Sequence, residues 1–381
     1  MTPLLLLFAL TFLVAVDLRI LAPVLPSISE SLGSTPGTVG LAMTTYTFAY
    51  GTGQLFYGPL SDRLGRLAVV RAAGLAFSGL AVLSALAVTA PQFILVRLAA
   101  GLFAGAVIPL TLVYIGDTVV YERRQVMIGR FSAIVSAAMA FSAAIGGTVA
   151  YLVSWRVMIL GYGLIALIPV GLMWRLPAPR PAAGAEATAA LVRFADLLRD
   201  RRARFVYLAA FLQTGLLWGS VTYLGAFAAR RHGLDQFSIG LLMALFGVGT
   251  MLGGLLMGVL HRFAESVRAS AGGIFMAAAL LAIIPPWPWP VFAGSMGLLG
   301  LGFALLHTTL QFRATEISPT ARGKAVALFA FHNFVGLAIG TALLGRLVDA
   351  GYYEAVFALS GCGLLFIGLA TAVAPRRQAG C

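Results

Sequence analysis

The chain has 381 residues, 60% of them hydrophobic and 10% charged, with a formal net charge of +13 and a mean hydropathy of +0.95. A soluble domain carries about 25% charged residues, so this composition cannot cover a core with a water-facing surface. Two cysteines, Cys362 and Cys381, build no disulfide framework.

A membrane span needs about 20 mostly apolar residues, and only helices or closed barrels satisfy their backbone in lipid. The apolar runs are too long and too even for barrel strands, which would alternate. In chain order, spans are predicted at 4–25, 37–60, 67–89, 92–115, 127–152 and 156–176, then at 205–229, 237–260, 268–286, 290–312, 323–347 and 353–374. The first run lacks a basic start and a small-x-small cleavage pattern, and Asp17 and Arg19 interrupt its end, so it reads as a span and not a leader. Pro26, Gly33, Pro36, Pro91, Pro285, Pro286 and Pro288 punctuate the connections.

One connection is long and polar. Residues 177–204 hold Pro, Ala and charge, including Arg193, Arg199, Arg201, Arg202 and Arg204. Its 191–200 part has helical apolar spacing and suits either a surface helix or a solvated linker. The expected organisation is an N-terminal six-helix bundle at 1–176, a cytoplasmic linker at 177–204 and a C-terminal six-helix bundle at 205–381. Twenty of the 26 Lys and Arg fall in or beside the even-to-odd loops and the C-terminus, against four in or beside the other loops. That asymmetry explains the basic excess without nucleic acid and places both termini in the cytoplasm. The halves also repeat at an offset of about 200 residues: Gly58 in YGPLSDR matches Gly258 in MGVLHRF, and YERRQVMIGR at 121–130 falls opposite SPTARGKAVA at 318–327. Duplicated six-helix halves around a central solute path are a recurring transporter architecture.

The sharpest local signal is Gly58-Pro-Leu-Ser-Asp62-Arg63-Leu-Gly65-Arg66, between spans 2 and 3. Gly58 would let a neighbouring helix approach, Asp62 could cap the next helix, and Gly65 permits a tight turn. Arg63 and Arg66 can pair with acids or lipid phosphates at the interface. This stretch resembles the signature loop of the major facilitator superfamily. TTYTFAYGTGQLFYGPLSDRLGRLAVV at 44–70 and VDLRILAPVLPSI at 16–28 look most like its drug-efflux branch, notably the bicyclomycin-resistance-type proton antiporters. RLAAGLFAGAVIPL at 97–110 resembles the family's fourth-span motif with Arg97 in its arginine position, and Asp117 matches the acid that pairs with the signature loop. In the second half the loop is degraded, with His261 and Arg262 in place of Ser-Asp. The antiporter motif of span 5 is partly kept: Gly129, Gly146 and Gly147 remain for helix packing, while Ser142-Ala143 stand where the family has Gly-Pro.

The resemblance implies an all-α membrane protein of twelve helices in two six-helix bundles, acting as a monomer in a bacterial-type inner membrane. Asp62, Arg63, Arg66 and Asp117 would latch the inward-closed state. Asp17 and Arg97 lie at similar depths in spans 1 and 4, neighbours in the family's arrangement. An intramembrane ion is costly and so a functional candidate: Asp17 would pair with Arg97 when ionised and compete for proton and substrate. A pair that merely holds the helices is the plainer alternative. Arg19, about 200° around a continuous helix from Asp17, would snorkel toward the outer headgroups.

Further polar groups fall inside spans: Tyr46, Gln54, Tyr114, Gln213, Trp218, Tyr223, His307, Gln311, His332 and Asn333. They are the candidates for a substrate cavity, with Trp218 and Phe331 suited either to packing or to a flat apolar solute. His307 and His332 could titrate as a pair near the inner gate. There is no nucleotide-binding loop, nucleophile–base motif or metal-ligand spacing, so neither an enzyme nor a cofactor or metal is expected. The partners are then a small-molecule substrate, protons and the bilayer. The expected function is export of small amphipathic drugs or metabolites in exchange for protons. The alternative is a gradient-driven importer or uniporter of an organic solute or anion; a receptor or lipid-modifying enzyme on the same scaffold is more remote.

Overall fold

The computed structural model describes residues 3–177, 194–260, 262–318 and 322–374. Among them all regular structure is helical. The first half holds α1 (Pro3–Asp17), α2 (Leu25–Ser31), α3 (Pro36–Leu64), α4 (Arg66–Ala85), α5 (Ala90–Thr118), α6 (Tyr121–Leu152) and α7 (Trp155–Trp174). The short α8 (Phe194–Arg199) follows, within the stretch with helical spacing. The second half holds α9 (Arg201–His232), α10 (Gln236–Leu260), α11 (Glu265–Ala282), α12 (Trp289–Glu316), α13 (Arg322–Asp349) and α14 (Tyr353–Val373). Counting α1 with α2 as one span and setting aside the six-residue α8, these are the twelve expected. Nine helices among the described residues are both long and apolar enough to cross a bilayer. Helices α3, α6 and α11, of 29, 32 and 18 residues, complete the set.

Packing repeats the sequence duplication. Helix α4 packs on α5 and α7 in the first half, and α11 packs on α12 and α14 in the second. The contacts use backbone, because lipid supplies no hydrophobic force between helices and small residues gain dispersion by close approach. A Cβ on Gly105 of α5 would lie 2.5 Å from the Tyr50 carbonyl of α3, and one on Gly101 would run into the Tyr46 carbonyl. In the second half Gly300 of α12 meets the Phe246 carbonyl of α10 in the same way.

By contact, the chain divides into two compact units. The first comprises Met1–Ala187, Val221–Ala244 and Thr341–Gly351, and the second Thr188–Ser220, Leu245–Gly340 and Tyr352–Cys381. The first unit therefore takes in one end each of α9, α10 and α13. Within it the Gly37 N–H donates to Asp349 Oδ1 at 2.8 Å, and the Tyr223 hydroxyl donates to the Thr341 carbonyl at 2.9 Å. Gln236 of α10 bonds the Ser27 hydroxyl of α2.

The first span departs from expectation. It is not one helix over 4–25: α1 stops at Asp17, a 3-10 turn covers Ala22–Val24, and α2 begins at Leu25. The cause is local. Pro23 and Pro26 have no N–H to continue the ladder, and their rings clash with the carbonyl four residues back. The chain tightens instead, with i→i−3 bonds from Arg19 N to Val16 O (3.1 Å), Ala22 N to Arg19 O (3.3 Å) and Val24 N to Leu21 O (3.1 Å). Unwound backbone survives at membrane depth only inside protein, and Ile20, Leu21, Ala22 and Val24 are all buried. Gly146 of α6 makes room: a Cβ there would lie 2.6 Å from the Ile20 carbonyl. Because the helix ends at Asp17, a continuous helical wheel no longer positions Arg19. Its side chain is half-buried, with Nε fully enclosed.

Gly105→Val should be poorly tolerated, since overpacking a close contact costs about 1–3 kcal/mol. Gly161→Ala, where a Cβ meets nothing within 4 Å, is the control. Thermal unfolding in detergent should show a clearly lower midpoint for the first variant and an unchanged or slightly higher one for the second, since alanine also favours the helix.

Candidate functional site

Asp17 is the last residue of α1 and is 2% exposed. Two helices bring it partners. From α5, Arg97 Nη1 donates to Asp17 Oδ1 at 2.8 Å and to Oδ2 at 3.1 Å. From α7, the Tyr162 hydroxyl donates to Asp17 Oδ1 and lies 3.2 Å from Arg97 Nη1, from which it accepts. The fourth side comes from α3: the Arg97 guanidinium sits 4.1 Å from the centroid of the Tyr46 ring, a cation–π contact that is strongest when desolvated. Tyr46 stacks on Tyr50 at 6.3 Å. Helices α1, α3, α5 and α7 thus meet on one neutralised charge pair, with Arg97 1% exposed. One helical turn and a half below, the Thr11 hydroxyl donates to Thr111 of α5 at 3.2 Å.

Tyr162 was not among the residues singled out from sequence. Its signal was present: it is the sole side chain with a hydroxyl in WRVMILGYGLIALIPVGLMW. A lone tyrosine in a span, however, also suits an interfacial belt or simple packing.

The signature loop forms a one-residue turn. Gly65, at φ +91°, separates α3 from α4, in a region where glycine alone is unstrained. Arg66, the first residue of α4, donates through Nε to Asp117 Oδ2 in the last turn of α5 at 3.1 Å. Its Nη1 reaches Ser61 Oγ at 2.5 Å and the Gly58 carbonyl at 3.4 Å. Gly58 therefore serves through its carbonyl, and a Cβ there would meet no described atom within 4 Å. Arg63 is exposed. The Asp62 side chain, the packing of Gly129, and His261 lie outside the described residues. Gly147 sits against Gly240 of α10, whose Cα would lie 2.9 Å from an added Cβ.

The second half carries a counterpart that its degraded loop conceals. Arg313 Nε, in the last turn of α12, pairs with Glu265 Oε1 at the start of α11. Helix for helix this is the Arg66–Asp117 position, with the charges exchanged. It is also less exposed: 11% and 16% for the two side chains, against 24% and 51% for the first-half pair.

The cavity candidates fall into separate groups. Tyr46 belongs to the charge cluster. Gln54 and Tyr114 are half-buried on α3 and α5. Tyr223 is fully buried, and its hydroxyl is spent on Thr341. In the second unit Gln213, Trp218 and His307 come together, with His307 Nδ1 3.3 Å from Gln213 Oε1. Gln311 is exposed. His332 stacks on Tyr207 at 5.1 Å, donates from Nδ1 to the Leu328 carbonyl at 2.7 Å, and stands next to Asn333. The two histidines are thus satisfied by different partners. Among the described residues no His, Cys, Asp and Glu group could hold a metal.

The sequence matches the Major Facilitator Superfamily over residues 7–312 and 227–380. It is 28% identical to the enterobactin exporter EntS of Salmonella typhimurium, covering 95% of this chain and 89% of that one. It is 28% identical to a chloramphenicol resistance protein of Pseudomonas aeruginosa (79% and 73%). It is 27% identical to the uncharacterised MFS-type transporter YceJ of Bacillus subtilis (90% and 88%). Among solved structures, the nucleoside transporter NupG superposes with a TM-score of 0.78 at 16% identity, covering 97% and 98% of the two chains. At that identity the likeness speaks for the fold.

Removing one partner of a buried ion pair costs about 3–5 kcal/mol, because the other charge is left unpaired. Arg97→Leu should therefore lower the thermal midpoint strongly, and adding Asp17→Asn should recover much of the loss. A double variant no better than the single one would mean the pair does not hold these helices.

Proposed function

Because the chain belongs to the Major Facilitator Superfamily and is a membrane transporter rather than an enzyme, we propose that it exports small amphipathic compounds in exchange for protons, in the manner of the drug-efflux branch. The observation that carries this reading is the Asp17 carboxylate. It is buried at the point where the first span breaks, and its oxygens are held by Arg97 and Tyr162. A proton on Asp17 cancels the charge that holds Arg97, so proton and guanidinium compete for the same oxygens. That competition supplies two local states, and a ligand that favours one of them shifts the population. Discontinuous helices with their ends at membrane depth are the usual place for such sites in secondary transporters. The names of the exporting relatives point the same way.

In this reading both termini and the α3–α4 turn face the cytoplasm, the protein works as a monomer in an inner membrane, and Arg66 with Asp117 latches the inward-closed state. The rival is a gradient-driven importer or uniporter. It draws on α6, which has Ser142-Ala143 in place of the proline that would bend an antiporter's fifth span.

Proton movement in everted vesicles decides between them. Wild type should release protons when a transported compound is added, and Asp17→Asn should lose at least about tenfold of that signal, the equivalent of one pKa unit of coupling. Substrate flux with no proton signal in the wild type would hand the function to the uniporter. The latch has its own readout. Asp117→Asn should speed labelling of a single cysteine placed on the inner side of the path, and unchanged labelling would dismiss it.

A further inference from the structure

Helices α9, α10, α12 and α13 bring five rings and two side-chain amides together inside the second unit. Trp218 of α9 meets Phe246 of α10 edge-to-face at 5.0 Å and Phe303 of α12 at 5.7 Å. Phe303 stacks on His307 one turn along the same helix at 4.7 Å, and His307 lies 5.6 Å from Phe329 of α13. Phe303 and His307 are only half-buried, so the cluster has an accessible side. We propose that this cluster is a subsite for an uncharged planar aromatic group bearing a carbonyl-type oxygen. The proposal deepens the reading of the chain as a small-molecule transporter and rests on it.

The polar atoms set the ligand's chemistry. Gln213 is fully buried. Its Oε1 faces His307 Nδ1, which donates to it, and its Nε2 has no hydrogen-bond partner. Close by, the Thr214 hydroxyl donates to the Asn333 main-chain carbonyl at 2.9 Å, and the Asn333 Oδ1 is likewise buried without a partner. One donor and one acceptor thus stand unmet on adjoining turns of α9 and α13. A buried polar atom without a partner is costly, and a site built that way rejects ligands lacking the matching group. Among the described residues the cluster contains no carboxylate, Lys or Arg, so a charged ligand would lie at membrane depth without a counter-ion. Rings offset or edge-on at 4.5–7 Å are the geometry aromatic pairs prefer, and a planar ligand can join that array without breaking it.

The probe is tritiated benzanilide, two phenyl rings on one amide, bound at equilibrium to the purified full chain in nanodiscs. Comparison is with its fully saturated dicyclohexyl counterpart and with ring-carboxylate and ring-amidine derivatives. Benzanilide should bind saturably and at least about tenfold tighter than all three, the margin that stacking supplies. Gln213→Leu and Trp218→Ala should each weaken it by about tenfold, while Trp218→Phe keeps most of the affinity. Equal binding of the saturated or charged compounds overturns the subsite, as does full affinity in Gln213→Leu. Should Trp218→Ala fail to elute as a folded species, Gln213→Leu and Trp218→Phe carry the decision. Equilibrium binding needs no ion gradient, so the two readings separate. Benzanilide selectivity in a protein that moves no protons supports the subsite alone. Proton-linked export of other compounds by a protein without that selectivity overturns the subsite alone.

Discussion

The first unit is organised around a charge pair that cannot be left half-made. An isolated carboxylate or guanidinium in a water-free interior costs several kcal/mol even after relaxation, so Asp17 and Arg97 must find each other and fill their remaining valences. Four helices are recruited to do this: α1 supplies the acid, α5 the base, α7 the Tyr162 hydroxyl and α3 the Tyr46 ring. The glycines of α5 follow from the same demand. Arg97 can rest on Tyr46 only if α3 and α5 come close, and Gly101 and Gly105 remove the side chains that would hold them apart. The break in the first span belongs to the arrangement too. Pro23 and Pro26 end α1 at the acid itself, and Gly146 of α6 leaves space for the unwound backbone beyond it.

Much of this is legible in the sequence alone, and the residues show why. Hydropathy located the spans, because a bilayer imposes a length that composition must meet. The depth of Asp17 and Arg97 was readable because charges inside apolar runs stand out. Tyr162 was not, since an aromatic hydroxyl is at home in a core, an interface or a site alike, and sequence does not tell them apart. The position of Arg19 is not legible, for a different reason. A helical wheel assumes that the helix continues, and two prolines four and seven residues on had already ended it.

The second-half ion pair shows a limit of motif reading. The loop after α10 keeps neither Ser-Asp nor the arginine spacing of YGPLSDR, so it looks like a lost copy. What duplication preserved is the contact and not the letters: a charge at the start of one helix paired with a charge at the end of the next. Exchanging the signs leaves the Coulomb attraction intact, and a pattern search that looks for arginine then acid passes over it.

The exchange is not neutral with respect to the helices. A helix N-terminus carries partial positive charge and a C-terminus partial negative charge, worth about 0.3–1 kcal/mol to a nearby side chain. Glu265 starts α11 and Arg313 ends α12, so both are favoured where they stand. Arg66 starts α4 and Asp117 ends α5, so both are opposed, and that pair is also the more exposed. Of two contacts at equivalent places, one is reinforced by its helices and the other is undermined by them. The latch proposed for the first-half pair would need a small free-energy difference between made and broken, and opposed helix ends lower that difference. The second-half pair has the opposite character: both of its charges are favoured by the helix ends that carry them. The duplication thus supplied two copies of one contact, and the sign of the charges at their helix ends separates the copy suited to switching from the copy suited to holding.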